Sequence, residues 1–259
     1  MSIIFKNRKV TIMNKAQQFK KLHVKGKPLI LFNIWDAGTA KAVEKSGAKA
    51  IATGSAPVAF ANGFVDGEVI PLDLVIANIE RISLATNLPL TVDLEGGYGK
   101  DVEIVAETVI RAVEAGAIGF NFEDQIVGAT ELYDISVQSK RISAARRAAK
   151  IDIFLNSRTD LFLKTAPEAH NELLLNAAIE RSKAYEQAGA DGFFAPGLAD
   201  ERLIERLCLA SPIPINIIAL PHVPENKILT KLGVSRISYG PVPYRKMITW
   251  FELMAKEVL

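Results

Sequence analysis

Residues 115–120, Ala-Gly-Ala-Ile-Gly-Phe, recur almost unchanged as residues 188–193, Ala-Gly-Ala-Asp-Gly-Phe, with shorter echoes at residues 46–48 and 232–234. In each copy a glycine follows an amphipathic stretch, and an apolar run begins within a few residues. Glycine commonly ends a helix because it adopts the left-handed conformation without a steric penalty. The repeat therefore predicts the same turn, from a helix into a strand, at four places in the chain.

Between these turns, short β-branched runs alternate with amphipathic segments, which is the pattern of βα units and a parallel sheet. Strands are predicted near residues 29–33, 49–53, 89–93, 119–123, 153–157, 191–195, 214–218 and 235–239. Helices are predicted near residues 14–22, 38–46, 71–86, 101–115, 136–149, 169–188, 199–209, 225–231 and 243–257. Eight strand–helix units in a chain of 259 residues indicate an α/β fold, a single (β/α)8 barrel of the TIM type.

The alternative is a doubly wound sheet with a dinucleotide loop at Gly96-Gly97-Tyr98-Gly99. This loop lacks the G-x-G-x-x-G spacing, and the nearby Asp93 and Glu95 would repel a pyrophosphate. The barrel is therefore favoured. We assign residues 13–259 to one barrel domain and residues 1–12 to an N-terminal extension.

Composition excludes several classes of protein. The 31 lysines and arginines nearly balance 29 acids, and a net charge of +2 argues against nucleic acid as a partner. No apolar run approaches the roughly 20 residues of a membrane span. The single cysteine, Cys208, excludes an internal disulfide, and we expect it to be an inert core residue. The N-terminus does not resemble a secretory signal, so a cytoplasmic enzyme is expected.

Acidic side chains follow neighbouring predicted strands. Asp93 and Glu95 are two residues apart and point the same way from a strand end, Glu123 ends the next strand, and Asp66 follows strand 2. Like charges gathered at one point are costly unless a cation lies between them. Oxygen ligands suit a hard divalent cation, so Mg²⁺ is predicted, with Mn²⁺ as a second possibility. Any one of these acids alone is more often a helix cap or an ion-pair partner.

The same rim carries groups suited to an anionic substrate. Arg158 is the only arginine at these strand ends, and its planar guanidinium suits a carboxylate, although Asp160 is a possible structural partner. A metal opposite an arginine fits a 2-oxo acid whose enolate is stabilised as the adjacent bond breaks. The predicted substrate-binding residues are Trp35, Thr53, Gly54, Ser55, Asp66, Arg158 and Asn216.

The histidines and the last helix carry weaker predictions. His222 is a candidate base at the rim, whereas His23 and His170 are expected at the surface. The predicted helix at residues 243–257 has an apolar stripe that would pack on the barrel, on a partner subunit, or on both.

The chain resembles the isocitrate lyase/phosphoenolpyruvate mutase superfamily over nearly its whole length. The matching segments are residues 31–38, 50–55, 66–68, 91–99, 119–125, 156–160, 194–198 and 233–238. The resemblance implies a magnesium-dependent barrel that cleaves or rearranges C–C or C–P bonds next to a 2-oxo acid through an enolate-like intermediate. It also implies a homo-oligomer, a dimer or more often a tetramer, whose terminal helices swap between subunits.

By motif, Asp93 matches the metal-binding aspartate, and Glu95 stands where many relatives have a second aspartate. Glu123 and Asp66 match further acids of the metal site, and Arg158 matches the substrate-binding arginine. The resemblance thus assigns catalysis to Asp93, Glu123 and Arg158.

One segment departs from the family pattern. The isocitrate and methylisocitrate lyases carry a catalytic cysteine on the loop after strand 4, and the corresponding residues 125–133 have no cysteine, lysine or histidine. We expect a Mg²⁺-dependent lyase that cleaves a C–C bond of a small 2-oxo or 2-hydroxy carboxylate but is not an isocitrate lyase. The alternatives are a C–P mutase or hydrolase acting on phosphonopyruvate, and a barrel that binds an oxo acid without catalysis.

Overall fold

The computed structural model describes residues 14–259. The strands are β1 Leu29–Leu31, β2 Ile51–Ala52, β3 Leu90–Asp93, β4 Gly119–Glu123, β5 Phe154–Arg158, β6 Gly192–Phe194, β7 Ile215–Ile218 and β8 Arg236–Ser238. The helices are α1 at 14–21, α2 Ala37–Lys45, α3 Ser55–Ala61, α4 Leu72–Ala85, α5 Val102–Ala115, α6 Ile135–Ala148, α7 Glu172–Gln187, α8 Glu201–Ala210, α9 Asn226–Lys231 and α10 Val242–Val258. The proposed extension, residues 1–12, lies outside the described residues.

The eight strands form one parallel sheet in the order β1-β8-β7-β6-β5-β4-β3-β2. Strands β1 and β2 meet at a parallel bridge between Ile34 and Thr53, where the Ile34 N–H donates to the carbonyl of Ala52 at 2.9 Å. This contact brings the two edges of the sheet together, and the predicted (β/α)8 barrel is confirmed. All eight predicted strands are present.

Alternation along the strands separates two cores. On β4, Phe120 and Phe122 belong to the large core between the sheet and the surrounding helices, whereas Asn121 and Glu123 occupy the alternate positions. A second, smaller core includes Phe19 of α1, whose ring packs edge-on against Phe154 at 5.3 Å. Helix α1 therefore packs near the N-terminal ends of the strands, which leaves the carboxyl ends for the candidate site.

The structure corrects two expectations. Helix α3 was not predicted, because its seven residues include Pro57 and follow a strand directly. His23 is not a surface residue: its ring stacks on Phe154 at 4.0 Å, and burial lowers its pKa to about 3. His170 is half-buried, with Nε2 beside the carbonyls of Phe162 and Thr165. Cys208 is buried, as expected.

Helix α10 carries its predicted apolar stripe on an exposed surface. Trp250 and Phe251 are each about three-fifths exposed, and only Pro243 of the helix is fully buried. Ile30 of β1 and Phe32, just beyond this strand, are exposed and line an open apolar groove that extends along α2. Two apolar surfaces of one chain are thus uncovered. Among residues 14–259, no helix is long and apolar enough to cross a membrane.

Candidate active site

Asp93 lies at the carboxyl end of β3, where the parallel strands direct their end groups to one rim. Its backbone N–H donates to the hydroxyl of Thr53 at 3.0 Å, which fixes the end of β3 against the end of β2. Its side-chain Oδ1 accepts the Glu95 N–H at 3.3 Å. Among the described residues Asp93 has no salt-bridge partner. A half-buried carboxylate without a salt bridge of its own is well suited to bind a metal ion.

Glu95 is buried just beyond β3, with a positive φ of 51°. Its Oε2 accepts the N–H groups of Gly67 and Glu68, both at 2.9 Å. Burial, together with the charges of Asp66 and Asp93, raises the pKa of Glu95 to about 8. The structure therefore brings three of the predicted metal ligands into one electrostatic cluster.

Asp66 is an exposed residue of the segment that follows α3, and its carboxylate is near enough to Asp93 for the two charges to interact. Partial burial and the nearby Asp93 charge raise the pKa of Asp66, while interactions with the Ser55 hydroxyl and the Arg158 cation act in the opposite direction. The predicted Thr53-Gly54-Ser55 segment lies beside it, with Gly54 as the residue preceding α3. A small cleft lined in part by Thr53, Gly54, Ser55, Asp93 and Glu95 joins these groups.

Glu123 and Arg158 occupy paired positions on β4 and β5. Oε2 of Glu123 lies 2.8 Å from Nη1 of Arg158, and Oε1 accepts a hydrogen bond from Gln125 at 3.0 Å. Arg158 also donates to both carboxylate oxygens of Asp160, at 2.6 and 2.9 Å. The structural pairing with Asp160 that the sequence left open is therefore present. Burial raises the pKa of Glu123 well above its usual range, although the Arg158 cation opposes this.

Asp124, next to Glu123, has a different environment. It is fully buried, and its Oδ2 accepts hydrogen bonds from Arg181 at 3.0 Å and from the Tyr185 hydroxyl at 2.8 Å. Its Oδ1 accepts the Asp160 N–H at 3.0 Å. This carboxylate ties the end of β4 to α7 and to the segment after β5, so it supports the rim rather than facing the cluster.

Asn216 lies in a buried polar layer of the barrel interior. The Asn156 amide donates to the side-chain oxygens of Asn121 and Asn216, at 2.9 and 3.1 Å. The Asn216 amide donates in turn to the Ser238 hydroxyl and to two backbone carbonyls. This network accounts for the whole Asn216 amide, and a substrate contact from this residue stays a prediction.

Arg236 was missed by the sequence analysis. It is fully buried in this layer, with Nη2 donating to Asn121 at 3.1 Å and with no hydrogen-bond partner for Nε or Nη1 within residues 14–259. Burial lowers the pKa of Arg236 to about 9, and the Asp93 charge opposes the shift. The alternation of side chains along the strand could have predicted this position. Ile237 lies in the core between the sheet and the helices, so its neighbour Arg236 points into the barrel.

Trp35, predicted to bind substrate, is buried, and its ring meets Tyr244 of α10 edge-on at 5.0 Å. The loops beyond β3 and β4 enclose a separate open cavity of about 310 Å³. Arg141 of α6 lines it, donates to the carbonyls of Gly96 and Gly99, and stacks its guanidinium over Tyr133 at 4.3 Å. Arg141 thus braces the glycine-rich loop next to Asp93.

The donor set fits a magnesium ion that keeps much of its hydration shell. Within residues 14–259, no three carboxylate, imidazole or thiol groups converge closely enough to enclose a metal ion by themselves. Mg²⁺ is usually bound through one or two carboxylates and retains several waters, so an enclosing cage is not required. Asp93, Asp66 and Glu95 have no salt bridge within residues 14–259, and Glu123, which is paired with Arg158, lies close enough to interact with the charge of Asp93.

The chain belongs to the phosphoenolpyruvate phosphomutase family, whose profile matches residues 19–259, and so to the isocitrate lyase/phosphoenolpyruvate mutase superfamily. It is 30% identical to the 2-methylisocitrate lyase of Escherichia coli, over 80% of this chain and 70% of that protein. It is 28% identical to the oxaloacetate decarboxylase of Ectopseudomonas mendocina, over 70% of this chain and 62% of that protein.

A solved structure from Burkholderia cenocepacia J2315, provisionally described as a phosphonomutase, is similar over 94% of this chain and 99% of its own, with 48% identity and a TM-score of 0.91. The superfamily includes lyases, mutases and hydrolases of small carboxylates. The predicted family is confirmed, and the particular reaction is a separate question.

Proposed function

We propose that the protein is a Mg²⁺-dependent lyase that cleaves a C–C bond adjacent to the carbonyl of a small 2-oxo or 2-hydroxy carboxylate. The observation that carries the proposal is the unpaired carboxylate of Asp93, surrounded by three more acids and facing the charge of Arg158. The similarity to a 2-methylisocitrate lyase and to an oxaloacetate decarboxylase favours C–C cleavage.

In this proposal Asp93 holds the metal directly, with Asp66, Glu95 and Glu123 around its water shell. Bound Mg²⁺ would supply a Lewis acid for the carbonyl and carboxylate oxygens of the substrate. Arg158 binds the substrate carboxylate with the donors that Glu123 and Asp160 leave free, since a guanidinium has five N–H groups. Asp160 and Glu123 fix the plane of the Arg158 guanidinium before substrate arrives. Thr53, Gly54 and Ser55 offer hydroxyl and N–H groups to the other end of the anion.

The loop at residues 125–133 restricts which reactions the proposed lyase can catalyse. The sequence of this loop includes no cysteine and no histidine. Its Gln125 side chain donates to Glu123, and its Tyr133 ring stacks on Arg141. A reaction that needs a strong general acid on this loop is therefore disfavoured. Loss of the carboxylate β to the carbonyl of a 2-oxo diacid such as oxaloacetate breaks the bond between that carboxylate and the carbon next to the carbonyl. The electron pair of this bond forms an enolate that solvent can protonate, which suits such a loop better than isocitrate cleavage does.

A C–P mutase or hydrolase acting on phosphonopyruvate is the second candidate. It is favoured by the family profile and by the 48% identity with the Burkholderia protein. The same metal site and the same arginine would serve it. The two candidates therefore differ in product, not in the residues that bind the substrate.

The test is a substrate panel with and without Mg²⁺. Oxaloacetate and 2-methylisocitrate would be followed by NMR for pyruvate formation, and phosphonopyruvate by phosphorus NMR. Because Mg²⁺ alone decarboxylates oxaloacetate slowly, Asp93→Asn at equal concentration is the reference. Pyruvate formed only by the wild type supports the lyase, whereas a new phosphorus signal supports the second candidate. Oxalate binding without turnover of any substrate would indicate a barrel that binds oxo acids without catalysis.

The assembly proposal rests on the two uncovered apolar surfaces. The exposed stripe of α10 and the groove beside Ile30 and Phe32 are complementary in character, and burying both excludes apolar area from water. A second copy of the chain offers each surface its counterpart. We therefore assign a homo-oligomer, a dimer or tetramer, in which α10 of one subunit packs on the groove of another.

A further inference from the structure

Two loops at the rim hold each other through a pair of glutamates. Glu95, after β3, accepts the N–H groups of Gly67 and Glu68 on its Oε2, both at 2.9 Å. Glu68 accepts the N–H of Tyr98 on its Oε1 at 2.7 Å. Each loop thus presents a carboxylate to the backbone of the other. We call this arrangement, the side chains of Glu68 and Glu95 with the three N–H groups they accept, the glutamate clasp.

The clasp coincides with the strained backbone of the site. Glu68, Glu95 and Tyr98 have φ values of 59°, 51° and 62°, and only one other non-glycine residue in 14–259 has a positive φ. Side chains make this left-handed conformation costly, and it persists where the surroundings hold it in place. All three strained residues are members of the clasp. The three hydrogen bonds to the backbone N–H groups of Gly67, Glu68 and Tyr98 are the interactions that compensate for this strain.

The clasp also controls the position of Asp66. Asp66 precedes Gly67 and Glu68, the two residues whose N–H groups Glu95 accepts, and their segment lies between α3 and α4 without regular secondary structure. Asp66 is near enough to Asp93 for the two charges to interact. Holding Gly67 and Glu68 therefore holds Asp66 at the metal position.

We propose that Glu95 is a positioning residue that fastens residues 64–70 over the site, rather than a direct metal ligand. The proposal rests on the metal site assigned above, in which Glu95 lies outside direct coordination, and it gives Glu95 the task of holding the neighbouring loop. Glu95 commits one carboxylate oxygen to two backbone N–H groups. The length of the glutamate side chain lets Oε2 reach both N–H groups at 2.9 Å.

Two conservative variants separate the roles. Glu95→Gln keeps the reach and an acceptor oxygen but loses the carboxyl group, whereas Glu95→Asp keeps the carboxyl group but loses the reach. The probes are amide hydrogen exchange of residues 64–70 in the metal-free protein and Mn²⁺ affinity by electron paramagnetic resonance. Glu103→Asp, at an exposed position of α5, is the matched control.

We expect Glu95→Asp to speed exchange in residues 64–70 at least tenfold and to weaken Mn²⁺ binding several-fold, because Asp66 is released. Glu95→Gln should leave exchange within about threefold of the wild type and should bind Mn²⁺ better than Glu95→Asp does. The reverse order of Mn²⁺ affinity, with exchange unchanged in both variants, would show that Glu95 is a metal ligand and would overturn the proposal.

A second variant guards against misfolding of the buried site. Glu68→Ala, at a half-exposed position, removes the other half of the clasp and should speed exchange at residues 96–99. Unchanged exchange there would also contradict the clasp. If the wild type binds no Mn²⁺, the proposed lyase function fails, while the exchange experiment in the metal-free protein still decides whether the clasp exists.

Discussion

Glu123 and Arg158 face each other from directly paired positions on β4 and β5, with Oε2 and Nη1 2.8 Å apart. Both side chains are largely buried, and a hydrogen bond from Gln125 to Glu123 and the ion pairs of Arg158 with Glu123 and Asp160 join the four side chains in one network. An ion pair at this depth is expensive to desolvate, and its net contribution to stability is therefore small. The contribution of the Glu123–Arg158 pair to the proposed function is to fix the plane of the guanidinium. A substrate carboxylate can then bind Arg158 in one orientation.

Glu123→Gln and Asp124→Asn should therefore have opposite profiles. Glu123→Gln removes a buried charge while Arg158 keeps Asp160 as a partner, so the free energy of unfolding should change by less than about 1 kcal/mol and activity should be lost. Asp124→Asn leaves the buried Arg181 without its counter-charge and should cost about 3 kcal/mol. Urea denaturation and the substrate panel measure the two effects. Equal destabilisation by both variants would contradict the assignment of separate roles.

Asp93→Asn should abolish Mn²⁺ binding and leave the fold intact, because Asp93 has no salt bridge to lose and asparagine preserves its shape. Asp101→Asn is the control, since Asp101 is an exposed residue at the start of α5 whose side chain makes no capping bond. Electron paramagnetic resonance gives the affinity and circular dichroism the fold. Undiminished Mn²⁺ binding by Asp93→Asn would remove the basis for the metal site.

His23 should make the protein acid-sensitive. Its pKa is lowered from about 6.5 to about 3 in the folded chain, chiefly by burial. Between these two pH values the unfolded chain binds a proton at His23 and the folded chain does not. Stability from this residue is complete above about pH 6.5 and is lost as the pH falls towards 3, by up to about 1.4 kcal/mol per pH unit.

His23→Phe keeps the stack on Phe154 without the titration. Urea denaturation between pH 6.5 and 4.5 should show a shallower loss of unfolding free energy in this variant than in the wild type. His222→Gln, a change at an exposed histidine, is the control and should retain the wild-type slope. Parallel curves for His23→Phe and the wild type would show that His23 takes up its proton in the folded state.

The double variant Trp250→Glu, Phe251→Glu should convert the oligomer into a monomer of 28.2 kDa. Two charges on the α10 stripe would have to be buried against an apolar groove, which is strongly unfavourable. Light scattering measures the mass. Leu173→Glu changes an even more exposed apolar residue, on α7, and should leave the proposed oligomer intact. A wild type that is already monomeric would contradict the assembly proposal.

The barrel could be predicted from the sequence because its signals are local. These signals are the alternation of strand-like and helix-like segments and the glycines that end helices, such as Gly116 and Gly189. Helix α3 was missed because its local signal is weak: it is too short to show a helical period, and Pro57 lies inside it. The rim positions of Asp93, Glu123 and Arg158 followed from the strand ends, since all parallel strands point their carboxyl ends to one face.

The partners of those residues could not be read from the sequence. Arg158 bonds Asp160, two residues away, and this pairing was foreseen as a possibility; the bonds from Arg141 to Gly96 and from Arg181 to Asp124 span 45 and 57 residues. Which of several arginines approaches a given acid depends on helix packing and side-chain length. The local sequence pattern does not determine how the helices pack, so it does not predict these long-range pairings.

The link from Asp124 to Arg181 and Tyr185 connects the outer ring of helices to the rim. Saturation mutagenesis scored by turnover should thus find intolerant positions on α7, a full layer away from any reacting atom. Efforts to alter substrate choice would do better to leave that helix untouched and to vary residues 126–132, between Gln125, which bonds Glu123, and Tyr133, which stacks on Arg141.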